Sequence, residues 1–425
     1  MRVCLVGSGA REHALAAVLA RSADVVATPG NPGIEGRSQE GHSLSSSPAP
    51  ALEIEADLYV IGPEAPLVDG LADRLRAAGK KVFGPGAEGA RLEGSKEFMK
   101  KVASEAGVPT ARWQAFSAGE VAAAKEFLAR LEGGYVVKTD GLAAGKGVLV
   151  TSDLAEATAD VEAKLSGASF GPAGQKVVIE EALSGHELSL FVLCDGRTFL
   201  PLLPAQDYKR LSEKDRGPNT GGMGSYAPVP AVDGQVVGEV LETVVGPTLA
   251  ALSRRGIDYR GALYAGLMLS EAGPRLIEFN VRFGDPETEV VVPLLSSDLT
   301  ELLAAAAGGG LDRVAPPQFS ARSAVCVVAA APGYPGTPET GGLISGVGAA
   351  ASLGDVHLFH AGTSRDEEGA LRTAGGRVLA VTGIGDDLAR ARRRAYEALG
   401  LVSFEGMQLR RDIAATPLSS LRAPA

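Results

Sequence analysis

Cysteine is scarce in this chain. Cys4, Cys194 and Cys326 are its only three, far apart and without CxxC or CxxH patterning, so neither a disulfide framework nor a zinc site is indicated. They are expected as buried thiols in a reducing cytosol, which makes the cytoplasm the expected location. A basic excess is also missing: 41 Lys and Arg stand against 51 Asp and Glu, a formal net charge of −10. Nucleic acid is not expected as a partner, because neutralising its backbone needs surplus cations. Any anionic ligand must be held by local basic groups. Long apolar runs are absent too. Glu289 to Leu295 is broken by Pro293 and stops at Ser296-Ser297-Asp298, so no membrane association is expected. Met1-Arg2 leads straight into a short strand, unlike a signal peptide. No Ser–His–Asp or Cys–His arrangement offers a covalent nucleophile.

What is present is a large reserve of apolar residues, 45% of 425, enough for about three domains at ~150 residues each. The fold class expected is multidomain, α/β and α+β. Residues 1–95 read as an open parallel α/β sheet, residues 96–315 as a central domain with a flap at about 110–185, and residues 316–425 as a small α+β domain.

Val3-Cys4-Leu5-Val6 is a continuous apolar run, as a buried parallel strand requires. Gly7-Ser8-Gly9-Ala10-Arg11-Glu12 follows and leads into a helix. The pattern is a poor dinucleotide fingerprint: Glu12 replaces the third glycine, and the second strand ends in Thr28-Pro29-Gly30 without a ribose-binding acid. The turn could still receive an anion at a helix start. Ser38 to Pro50 reads as a surface loop. Leu58-Tyr59-Val60-Ile61 ends in Gly62-Pro63-Glu64, where open sheets bind ligands, so Glu64 is a candidate substrate contact or a mere turn residue. Ser95 is a natural N-cap. Lys96 then lies in the first helical turn, where the dipole disfavours a cation unless an anion is near.

Tyr135 to Val150 reads as strand, glycine loop and strand, with Lys138 at the base and Lys146 at the tip. The spacing from Gly141 to Gly145-Lys146 fails the P-loop pattern; two lysines on a glycine hairpin suit a lid over polyphosphate. Val177 to Leu183 is a strand ending in Glu180 and Glu181, and Glu187 opens the next. Glu180 and Glu187 could bond an adenine amine and ribose hydroxyls, or be solvated acids. Gln206 to Arg210 and Gly217 to Tyr226 read as one long polar loop, a length that usually signals function or disorder. The last segment has few obvious catalytic groups.

Arg275 to Glu287 organises the rest. As a strand it turns Ile277, Phe279, Val281 and Phe283 to one side and Glu278, Asn280 and Arg282 to the other. A carboxylate and a carboxamide on one face offer hard oxygens to Mg²⁺, and a guanidinium binds two phosphoryl oxygens at once. A solvated amphipathic strand is the bland alternative.

Val6 to Leu15, Gly62 to Leu67, Leu92-Glu93-Gly94-Ser95-Lys96, Asp140 to Gly147, Gly217 to Gly224 and Glu278 to Glu287 together resemble the phosphoribosylamine–glycine ligase (glycinamide ribonucleotide synthetase) family of ATP-grasp enzymes. Phe359-His360-Ala361-Gly362-Thr363 and Gly375-Gly376-Arg377-Val378 carry the likeness into the last segment. The resemblance implies an ATP-grasp central domain and a purine-biosynthetic ligase. ATP would phosphorylate glycine, and 5-phosphoribosylamine would attack the glycyl phosphate. It implies ATP contacts at Lys96, Lys138, Lys146, Glu180, Glu181, Leu183 and Glu187, and Mg²⁺ or Mn²⁺ on Glu278 and Asn280. Arg282 would steady the transferring phosphoryl group. Arg11, Glu12, Glu64, Asp207, Lys209, Asn219 and Asp285 would lie on the substrate side. A monomer acting on small molecules is expected. The alternatives are another ATP-grasp carboxylate–amine ligase, an NAD-linked oxidoreductase built on the Gly7 turn, and a non-enzymatic adenine-nucleotide sensor.

Overall fold

The computed structural model describes residues 1–142, 147–167 and 176–420. Its first sheet runs in the order Gly36–Arg37, Ser43–Ser46, Asp24–Pro29, Arg2–Gly7, Leu58–Ile61, Val82–Phe83. Arg2–Gly7 pairs in parallel with both neighbours, Val3 opposite Val25 and Leu58. Val3, Leu5, Val25, Leu58 and Val60 are buried on one face and Cys4, Val26 and Tyr59 on the other, which is why these strands carry continuous apolar runs. The expected surface loop from Ser38 to Pro50 is corrected. Ser43–Ser46 adds a parallel strand, Leu44 opposite Val25, and the Ser43 N–H and hydroxyl both donate to Asp24. Edge pairing decided what serine content could not.

A second, antiparallel sheet takes the order Trp113–Ser117, Lys176–Glu181, Tyr135–Thr139, Val148–Thr151. It closes a small core of its own, with Phe116, Phe127, Val137, Val161 and Ile179. Lys138 faces Val148 across the hairpin. The tip residues 143–146, Lys146 among them, lie outside the described residues.

The third sheet, Phe199–Pro201, His186–Asp195, Arg260–Ser270, Gly273–Asn280, is antiparallel. The organising strand ends at Asn280, ahead of the break expected at Gly284-Asp285-Pro286, and its alternation is broken once. Gly266 faces Glu278 while Leu267 faces Leu276, leaving Ile277 as the extra residue of a β-bulge. Leu276 and Phe279 are therefore the strand's buried residues there, in place of the expected Ile277–Phe279 pair. A bulge re-aims the chain, and here the Ile277 carbonyl accepts a hydrogen bond from Lys138 at 3.4 Å.

The long polar loop is also corrected. It holds the strands Gln206–Asp207, Arg210–Ser212, Arg216–Asn219 and Gly224–Ala227. The first and last join Ser323–Ala330, Arg377–Gly385 and Val356–His360 in a fourth sheet, so the last segment borrows two strands from the middle of the chain. Gly234–Arg254 is one described helix long and apolar enough to cross a membrane by composition, longer than the apolar run read from sequence. Val240, Val244, Val245, Ala251 and Leu252 on it are instead buried in the main core.

Candidate active site

Glu278 is the centre of a charged wall. Burial alone would raise its carboxyl, but Lys209, Lys138, Lys96 and Arg282 hold it below the usual carboxylate range. Four cations from separate segments thus surround one acid of the third sheet. Among the described residues, neither Glu278 nor Asn280 spends its side chain on a hydrogen bond to another residue. Two uncommitted hard oxygen donors fit Mg²⁺, which takes one or two carboxylates and fills its shell from water and phosphate. Glu278 and Asn280 would hold it.

Arg282 follows in the turn after the strand. Its Nη2 lies 2.9 Å from Glu93 and its Nε 3.2 Å from Glu64. Burial works against the guanidinium's charge, yet the two acids keep its pKa raised. Glu64 is correspondingly lowered, Arg282 and Arg11 outweighing its burial. Glu93 stays raised because its burial is deeper. Arg282 is thus held in place by two acids of the first segment.

Lys96 and Lys138 approach from the helix Lys96–Glu105 and the hairpin. Ser95 caps that helix by accepting from the Phe98 N–H at 3.1 Å. Asp140 of the hairpin accepts from the Glu97 N–H at 3.2 Å and from Ser95. That anion offsets the expected dipole misfit of Lys96, whose Nζ donates to the Gly141 carbonyl at 2.7 Å. Burial lowers the Lys96 pKa, with Glu278 opposing.

Glu180 departs from expectation. Its carboxylate is buried between two ammonium groups, Lys138 at 2.7 Å and Lys100 at 2.6 Å. Both lysines hold its pKa down against burial, while its Oε1, beside Lys138, has no hydrogen-bond partner among the described residues. Glu181 is likewise engaged, accepting from the Arg112 N–H and from Arg275, each at 3.0 Å. Leu183 lies in the half-buried link between these strands. Glu187 holds Lys209 at 2.6 Å. Burial pushes Asp207 up to about 8, with Lys209 opposing and Glu287, Glu187 and Glu278 adding to the rise. Glu287, unassigned from sequence, accepts from Ser189 at 2.9 Å, and Ser189 also bonds Tyr264.

On the first sheet, Glu12 fills its own turn. It accepts the Gly9 N–H at 2.7 Å and pairs with Arg11 at 2.6 Å. A side chain at Gly62 would come within 2.1 Å of it and one at Gly7 within 2.6 Å, which is what these glycines avoid. The anion at this helix start is therefore the carboxylate of a residue of the chain itself. Arg11 donates to the Phe283 carbonyl at 3.1 Å, joining this turn to the Arg282 wall. Asp285 pairs with Arg377 at 3.0 Å. Arg377 also donates to the carbonyls of Gly221 at 2.6 Å and of Asp285 at 3.0 Å. The last segment, read as poor in functional groups, thus reaches the site. Asn219 lies opposite Arg210 in a two-stranded hairpin, next to Thr220, which donates to the Lys209 carbonyl.

Sequence reasoning missed Glu93, Lys100, Glu287 and Arg377. Lys100 had one faint signal, its place one helical turn after Lys96; Glu93, Glu287 and Arg377 lie inside the family-like motifs quoted above but were given no role there.

Comparison with known proteins agrees with this architecture. Family models described as the N domain, the ATP-grasp (A) domain and the C domain of phosphoribosylglycinamide synthetase match residues 1–93, 94–288 and 324–416. Proteins named phosphoribosylamine–glycine ligase are similar over nearly the whole chain. The one from Leifsonia xyli subsp. xyli is 49% identical, covering 98% of this chain and 100% of its own. That from Caulobacter vibrioides is 47% identical, covering 97% of each. The crystal structure of the Thermotoga maritima phosphoribosylamine–glycine ligase superimposes with a TM-score of 0.84 at 37% identity, covering 97% of this chain and 100% of that one. A biotin carboxylase domain from Hydrogenobacter thermophilus, in complex with MgADP, shares the fold, with a TM-score of 0.69 at 17% identity over 96% of this chain and 91% of its own.

Proposed function

Because the chain belongs to the phosphoribosylglycinamide synthetase family, we propose that its Glu278–Asn280–Arg282 wall, facing Lys96 and Lys138, is where ATP and glycine react. The enzyme is an ATP-dependent ligase of purine biosynthesis that joins glycine to phosphoribosylamine with Mg²⁺ or Mn²⁺. The observation carrying the residue-level reading is the convergence of four cations on Glu278.

The glycine carboxylate attacks the terminal phosphoryl group of ATP, and ADP leaves. The amine of phosphoribosylamine then attacks the glycyl phosphate and phosphate departs. Such transfers rest on alignment and charge neutralisation rather than a covalent nucleophile. Glu278 and Asn280 would hold a divalent ion, which when bound would neutralise phosphate oxygens. Lys96 and Lys138 hold the phosphates, joined by Lys146 of the hairpin tip. Arg282, anchored by Glu93 and Glu64, meets charge that builds on the transferring group. Glu180, Glu181 and Leu183 form the strand end that receives the adenine, and Glu187 takes the ribose. Arg11, Glu12, Glu64, Asp207, Lys209, Asn219 and Asp285 serve the substrate side. The domain limits we favour remain 1–95, 96–315 and 316–425. A cytoplasmic monomer, free of nucleic acid and membrane, is in keeping with the net charge of −10 and three buried free thiols.

The test is ADP release with ATP and Mg²⁺, omitting glycine or phosphoribosylamine in turn. Full turnover only when both are present is expected; turnover indifferent to glycine would refute the assignment.

A further inference from the structure

Lys100 is fully buried, an uncommon place for an ammonium group. Its Nζ lies 2.6 Å from Glu180 Oε2 and donates to Thr110 Oγ1 at 2.7 Å. The Thr110 hydroxyl in turn donates to the Leu276 carbonyl at 2.7 Å, two residues before Glu278. The other oxygen of Glu180 faces Lys138 at 2.7 Å. One ammonium group thus ties together the helix that bears Lys96, the strand of Glu180, the hairpin base at Lys138 and the strand of Glu278.

Two lysines share the Glu180 carboxylate, with all three side chains buried. Lys138 is the member of this knot next to the Glu278 wall, because it and Lys96 both act on Glu278. Lys138 also donates to the Ile277 carbonyl. An ammonium has three donors, so how tightly Glu180 draws on Lys138 decides what is left for phosphate. Lys100, by holding the second oxygen of Glu180, limits that draw.

The geometry points to Lys100 as a positioning residue for the nucleotide: it fixes Glu180 so that Lys138 keeps its ammonium toward the phosphates of ATP. This rests on the proposed assignment of Lys138 to those phosphates. Lys100 touches no substrate itself. Without it, Glu180 is free to turn both oxygens onto Lys138 and withdraw it from the ligand.

The experiment compares Lys100→Met, Lys138→Met and the double variant in the full chain. ATP, glycine and phosphoribosylamine are each titrated, and folding is checked by thermal unfolding. Lys100→Met leaves a balanced Glu180–Lys138 pair. Its KM for ATP is expected to rise roughly tenfold, the scale of a misplaced binding group, with the KM for glycine unchanged. Since Lys100 acts through Lys138, the double variant is expected to bind ATP no worse than Lys138→Met. Thr110→Val, which removes only the hydroxyl link, is expected to raise the same constant by a smaller factor, and it carries the test if Lys100→Met does not fold. An unchanged KM for ATP in a folded Lys100→Met or in Thr110→Val overturns the inference, as do losses that multiply in the double variant. An unchanged KM for ATP in Lys138→Met instead defeats the underlying phosphate-site reading, so the two failures are separable.

Discussion

The guanidinium of Arg282 sits 2.9 Å from the carboxylate of Glu93, a residue 189 positions earlier in the chain. The contact locks the end of the Glu278 strand onto the helix Ala87–Gly94, which closes the first segment. Glu93 is buried and its pKa is raised by that burial, with Arg282 pulling it back. Replacing Arg282 by Met leaves the Glu93 carboxylate with only the Val281 N–H as partner, at a cost of up to ~3–5 kcal/mol. Glu93 then binds a proton in the folded state that it releases on unfolding, so the variant's stability falls as pH rises. Urea unfolding across the pH range checks both the size and the sign. Arg282→Lys should keep most of the stability while losing turnover, because an ammonium cannot reach two acids and a phosphoryl group as a fork does.

Glu278→Gln keeps the shape of the side chain and removes its charge. Metal-assisted charge stabilisation is worth several kcal/mol, so turnover is expected to drop by ~10²-fold or more. The circular dichroism spectrum should match that of the parent protein. Metal-dependent turnover within a few-fold of the parent's would remove Glu278 from the site.

Arg377→Ala tests the reach of the last segment. Its donations to Gly221 and Asp285 hold two loops of the substrate side, and charge-assisted bonds of this kind are worth ~1.5–3 kcal/mol. The KM for phosphoribosylamine is expected to rise by ~10-fold or more while that for ATP stays put. Steady-state kinetics with each substrate varied in turn would expose the opposite pattern.

Acid should loosen the seam between the first and last segments. His13 Nδ1 accepts the His360 N–H at 2.9 Å, and Asn31 donates to the His360 carbonyl at 2.9 Å. Burial lowers the His13 pKa to about 3, helped by His360 and His357, and that of His360 to about 4, helped by Arg365. Unfolded histidine, near 6.5, binds protons that the folded rings refuse. Stability therefore falls as pH drops below about 6.5, and the fall ends as the folded pKa values are reached. Each ring contributes up to ~1.4 kcal/mol per pH unit. Thermal unfolding between pH 7 and 5 should show this slope, and His13→Asn, which keeps an acceptor but cannot titrate, should make it shallower.

Much of the chain could be read locally. The apolar run at Val3, the Ser95 cap and the alternation around Glu278 each depend on neighbours within a few residues, and such patterns survive without tertiary information. Ser38 to Pro50 misled because its strand exists only by pairing with Asp24–Pro29. The Ile277 bulge misled because alternation has no marker for an extra residue. The lysine partners of Glu180 were not legible, because a strand-end acid looks the same in sequence whether or not two buried lysines flank it.

The sequence by itself determined which chemistry was at hand: hard oxygens, a guanidinium and lysines in hairpin and helix, with no thiol or hydroxyl nucleophile. Residue type and short-range period suffice for that. Only the tertiary structure decided which charges neutralise one another, since Arg282 with Glu93, Lys100 with Glu180 and Arg377 with Asp285 meet from distant parts of the chain. Charge pairing acts over a few ångströms of space and leaves no trace in the spacing of residues along it.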